Sequence, residues 1–321
     1  MPAAAAWQRL EGIRTQLDAR RPQGWPLASE PSESVSAPPA AAALVAGSAP
    51  APTPLPDACG QFAAAHAYAN ELASSGRAHG LALAVGRAGR VIYSAALGRS
   101  APTPAEGGLL PDTPIRTDSI FEVASVTKPF TVLAVLQLIE RLGGSDGKGS
   151  FTLETPVCQI LPAFGGPPTA VPAGEDEHHA QWRQRRDGVT LRHLMTHTSG
   201  LGDGIPVDRS TQPSLGEHLA AIYTSAALQF EPGSDICYSS QAIMLLAAVV
   251  EAVSGLPLPV YLRENVFLPL GMTDTTLGIA AERQPAREVT MHFESVAENR
   301  HWDHNSTYWR SLGAPWGGLL T

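Results

Sequence analysis

Lysine is almost missing from this sequence. Of 22 basic residues in 321, only Lys128 and Lys148 are lysines; the other 20 are arginines. Thirty acidic residues leave a formal charge of -8. That balance excludes the basic surface that sequence-independent nucleic-acid binding needs. Cysteine is scarce too. Cys59, Cys158 and Cys237 are scattered and odd in number, which argues against a disulfide framework and against metal-ligand spacing. No apolar run approaches the roughly 18 residues of a membrane span. The start carries no basic segment leading into an apolar one, so no export signal is read and a cytoplasmic location is favoured.

What is present divides the chain in two. Residues 1–56 hold ten of the 28 prolines. Their Ala/Pro/Ser stretch at 36–56 has too few large apolar groups to offset the entropy of ordering, and it reads as a disordered leader. A short amphipathic helix over 7–17 is the exception. Residues 57–321 read as one α+β domain with a largely antiparallel sheet. A helix is expected over 57–75, capped by Asp57. A hairpin follows, Leu81–Val85 and Arg90–Ala95, turning through Gly86–Gly89. Residues 126–142 are apolar nearly all round, which predicts a helix buried in the domain centre. Further helices are predicted at 189–196, 214–227, 239–254 and 258–266.

Both lysines stand three residues after a serine, so the bare Ser-x-x-Lys pattern is cheap. Context separates the two. Ser145-Asp146-Gly147-Lys148 lies in a glycine-rich loop after a helix. Its overlapping Gly-x-Ser-x-Gly lacks the strand and helix that a nucleophile elbow requires. Ser125-Val126-Thr127-Lys128 opens the apolar helix, and three residues is close to one turn, so the hydroxyl and the ammonium share a face. A lysine on such a helix is costly unless its charge is partnered or its proton is held loosely. A loosely held proton is what a base toward a serine hydroxyl needs. The helix N-terminus adds N–H groups suited to a developing oxyanion. Taken alone, these residues fit equally well a helix cap followed by a surface lysine.

Three further stretches break the tie. They are Leu191-Arg192-His193-Leu194-Met195-Thr196-His197-Thr198-Ser199-Gly200-Leu201, then Glu231-Pro232-Gly233 with Tyr238-Ser239, then Leu268-Pro269-Leu270-Gly271-Met272. With Phe121 to Phe130 ahead of them, they resemble, in order and spacing, the serine β-lactamase-related hydrolases. That family comprises class C β-lactamases, penicillin-binding DD-peptidases and β-lactamase-fold esterases. The resemblance implies a β-lactamase/transpeptidase-like fold. It implies Ser125 as acylated nucleophile, Lys128 as its base or proton relay, and Tyr238 as a proton shuttle to the leaving group. The order of proton transfer between Lys128 and Tyr238 stays open. His197 and Ser199-Gly200 fall in a stretch that is mainly structural in the family.

Two departures from the family pattern bear on function. The second motif ends in Ser240, the candidate substrate-binding residue, where class C enzymes have an asparagine that supports substrate. Serine cannot donate and accept at the same reach, which lowers the expectation of β-lactam hydrolysis and leaves ester substrates open. After Leu270-Gly271-Met272, the chain ends at Trp316-Gly317-Gly318-Leu319-Leu320-Thr321. The resemblance implies a third motif and final strands beyond such a stretch, so the expectation is a truncated product with an incomplete sheet. The expected substrate is a small ester, amide or peptide, with no cofactor and no metal. The alternative is an inactive fragment or a binding module on the same fold. His301-Trp302-Asp303-His304 and His178-His179 read as polar loops rather than ligand sets.

Overall fold

The computed structural model describes residues 60–100, 113–142, 151–165, 185–225, 227–279, 287–291 and 304–321. The leader, Asp57, Ser145, Lys148, His178-His179 and His301 lie outside the described residues. By contacts the chain forms two compact units. Of the described residues, one comprises 60–122 with 287–307, and the other 123–279 with 308–321.

The first of these carries α1 (Ala63–Ser74), β1 (Gly80–Arg87) and β2 (Arg90–Gly98). The strands pair antiparallel, with Gly80 opposite Gly98 and Arg87 opposite Arg90. The expected hairpin is therefore present, and it is longer and tighter than its sequence boundaries. Its turn is the two residues Ala88-Gly89, both with positive φ (50° and 73°). That is the backbone a right-twisted hairpin prefers in a two-residue loop, and glycine supplies half of it without strain. α1 packs on β2 through Tyr93, which stacks on Phe62 at 5.0 Å and takes a 2.6 Å hydrogen bond with His66 Nδ1. The helix begins later than the Asp57 cap predicts, and Phe62 at its start makes no side-chain cap.

The helical unit carries α2 (Thr127–Leu142), α3 (Leu191–Met195), α4 (Leu215–Ser225), α5 (Ser240–Ser254), α6 (Leu258–Leu262), β3 (Thr276–Leu277), α7 (Thr307–Leu312, of which all but Thr307 falls here) and β4 (Leu319–Leu320). A π-turn over Arg263–Phe267 extends α6. β3 and β4 pair antiparallel. Packing makes α5, not α2, the central helix. Every residue of α5 from Gln241 to Val250 is buried. Ser239 caps it by accepting from the Ala242 N–H at 3.0 Å, and Gly255 closes it in the left-handed conformation.

The expectation that α2 is buried all round is corrected. Its buried stripe is Thr127, Lys128, Thr131, Ala134, Val135, Leu138 and Leu142, the face packed on α5. Leu133 and Leu136 stand 37% and 42% exposed. An all-round apolar pattern records only that no polar stripe marks the outside; it cannot say which flank a neighbour covers. Among the described residues, no single helix is long and apolar enough to cross a membrane.

Candidate active site

Ser125 sits in a 3-10 turn, Ala124–Val126, that feeds directly into α2. The turn is strained: Ala124 has φ +45°, a left-handed conformation that costs a non-glycine residue about 1–2 kcal/mol. Three bonds hold it. Thr127 Oγ1 donates to the Ala124 carbonyl at 2.6 Å and accepts from the Leu319 N–H at 3.0 Å. The Val123 N–H donates to the Leu319 carbonyl at 3.0 Å. β4 is thus pinned on both sides of Ser125, and the serine hydroxyl is left exposed at the head of the helix.

Lys128 is one turn further on and only 5% exposed. Its Nζ donates to Ser125 Oγ at 3.0 Å and to the Trp316 carbonyl at 2.8 Å. The same ammonium lies 4.6 Å from the centre of the Tyr238 ring, within cation–π range. Two oxygen acceptors and a π face therefore surround it, and among the described residues no carboxylate forms an ion pair with it. The Trp316 side chain is itself fixed between Trp309 (6.4 Å, edge-on) and the buried His218 (5.3 Å).

Tyr238 arrives from the segment before α5. Its ring lies 4.8 Å from that of His197. No hydrogen bond joins its phenol to Ser125 or Lys128 among the described residues, and the contact with Lys128 is through the ring face. Ser240, the first residue of α5, bonds to Asp203. Both its hydroxyl and its N–H donate to Asp203 Oδ1, at 2.7 and 3.0 Å. The structure therefore brings Ser125, Lys128 and Tyr238 together, and it engages Ser240 with Asp203.

A family profile described as Beta-lactamase matches residues 62–321. The chain belongs to the Beta-lactamase family. Similar proteins include a monacolin J acid methylbutanoyltransferase of Aspergillus terreus, 31% identical over 215 residues, which is 62% of this chain and 48% of that protein. Esterase EstB of Burkholderia gladioli is 36% identical over 207 residues, 59% of this chain and 45% of that protein. Among solved structures, EstCE1, described as a hydrolase with promiscuous acyltransferase activity, superposes with a TM-score of 0.54 at 25% identity. That match covers 81% of this chain and 68% of EstCE1. The chain spans about half the length of the curated relatives it matches. The fold is the β-lactamase/transpeptidase-like one, in a family of serine hydrolases that also holds acyltransferases and penicillin-binding proteins.

Within this Beta-lactamase family domain, sequence reasoning missed two participants. Trp316 contributes a backbone carbonyl, which no side-chain pattern announces. Asp203 holds Ser240, and only its place in Gly202-Asp203-Gly204 hints at a loop carboxylate near a helix start. His197, expected to be mainly structural, lies against Tyr238 and bonds the residues on either side of it. Burial, and next the charge of Lys128, push His197 below the ordinary histidine range, against the opposing pull of Asp203. His304 Nδ1 pairs with Glu122 Oε1 at 2.5 Å, and no cluster of three potential ligands occurs among the described residues.

Proposed function

We propose that the protein forms an acyl-enzyme on Ser125 from an ester or amide and passes the acyl group to water. The observation that carries this reading is the 3.0 Å contact between Ser125 Oγ and the buried Lys128 Nζ, on a strained turn that presents the hydroxyl outward. Ser125 Oγ attacks the carbonyl carbon, and its proton passes to a Lys128–Tyr238 pair that starts one proton short, as neutral amine with phenol or as ammonium with phenolate. The tetrahedral oxyanion forms against the N-terminus of α2, where backbone N–H groups favour negative charge. The leaving group departs with a proton returned through Tyr238. Water then attacks the acyl carbonyl, with the same groups acting in reverse.

Esters are the favoured substrate class. Ser240 is committed to Asp203, so the second motif offers no amide side chain to a β-lactam or peptide substrate. EstB and EstCE1, an esterase and a hydrolase by description, support the same direction, and the A. terreus methylbutanoyltransferase supports acyl transfer to an acceptor other than water as a second outlet. The test is pre-steady-state hydrolysis of a p-nitrophenyl ester. A burst of p-nitrophenolate equal to the protein concentration, absent from Ser125→Ala, is expected. Equal turnover in the two proteins overturns the proposal.

A further inference from the structure

We infer that His197 is the positioning residue for Tyr238, gripping the tyrosine from both sides and from its ring face. The inference rests on the reading of Tyr238 as a proton shuttle. The grip has three parts. The His197 carbonyl accepts from the N–H of Cys237, the residue before the tyrosine, at 2.9 Å. His197 Nδ1 accepts from the N–H of Ser239, the residue after it, at 3.2 Å. The imidazole itself lies 4.8 Å from the phenol ring, tilted 40°.

A backbone N–H can only donate, so His197 Nδ1 carries no proton and the imidazole proton is on Nε2. His197 is therefore held neutral in one tautomer. The grip also has a cost in the backbone. His197 has φ +60°, and a non-glycine residue in that region needs surrounding structure to hold it there. That conformation lets one residue present its carbonyl to position 237 and its ring nitrogen to position 239. Ser239 is in turn the cap of α5, and Lys128 lies over the Tyr238 ring. The histidine thus ties the tyrosine to the start of the central helix at the point where it meets the lysine.

His197→Asn tests the inference, because asparagine tolerates the left-handed backbone while losing the ring and shortening the reach to Ser239. On an alkyl ester, kcat is expected to fall about tenfold to a hundredfold, the scale of a misplaced catalytic group, with KM nearly unchanged. In a Tyr238→Phe background, the same substitution is expected to add no further loss, because its effect passes through the phenol. An equal loss in both backgrounds, or none in either, overturns the inference. If the unaltered protein shows neither turnover nor reaction at Ser125, the proposed function fails and the grip is still decided. Nitration of Tyr238 by tetranitromethane, mapped by peptide mass, is expected to be faster in His197→Asn, and equal rates overturn the inference.

Discussion

Thr127→Val removes one hydroxyl from the turn that presents Ser125, and its effect can be worked through from the geometry. Thr127 is fully buried. Its Oγ1 donates to the Ala124 carbonyl and accepts from the Leu319 N–H. Valine keeps the shape and loses both bonds. Each bond contributes roughly 1 kcal/mol, and the orphaned Leu319 N–H adds about 1–3 kcal/mol of desolvation, for about 3–5 kcal/mol in all. In a chain of this size that lowers the melting temperature by about 5–15 °C. The loss is local to the strained Ala124, so Ser125 is also expected to react more slowly with a fluorophosphonate at temperatures where the protein is still folded. Calorimetry and labelling rates read the two effects separately. Thr127→Ser keeps the hydroxyl, loses about 1 kcal/mol with its methyl, and is expected to label at the normal rate. A Thr127→Val protein that melts and labels like the unaltered one refutes the reasoning. So does a Thr127→Ser protein as impaired as the valine variant.

Lys128→Met removes the amine that bonds Ser125 Oγ and is expected to abolish the p-nitrophenolate burst while the fold persists in circular dichroism. Tyr238→Phe is expected to slow alkyl esters more than p-nitrophenyl esters, whose leaving group departs without a proton; equal slowing in steady-state rates argues against leaving-group protonation by Tyr238. His197 and His218 are both held below the ordinary histidine pKa by burial. The unfolded chain therefore binds more protons than the folded one between those lowered values and about 6.5, and stability rises with pH across that window. Denaturant titrations from pH 5 to 7 check the sign. Gly200→Ala sets a Cβ 2.5 Å from the Phe230 carbonyl oxygen at φ +84°, and is expected to cost upward of about 2 kcal/mol by chemical denaturation.

The parts of the site legible in the sequence are the local ones. Ser125 and Lys128 are a turn apart, so helical geometry alone puts them on one face. The Ser239 cap and the Gly255 stop bound α5 by rules that operate within four residues. The contacts that complete the site are long-range. Lys128 meets the Trp316 carbonyl across 188 residues, His197 meets Ser239 across 42, and Asp203 meets Ser240 across 37. None of these leaves a periodic trace. The exposed flank of α2 was illegible for a related reason: Leu133 and Leu136 look like core by hydrophobicity, and only the placement of neighbouring elements decides which apolar face is covered.

The most direct test of the central claim is peptide mapping by mass spectrometry after acid quenching during turnover of a slowly deacylated ester. A single acyl adduct on Ser125 is expected, absent from Ser125→Ala and from Lys128→Met. An adduct on any other residue, or turnover of that ester with Ser125 unmodified throughout, would contradict it.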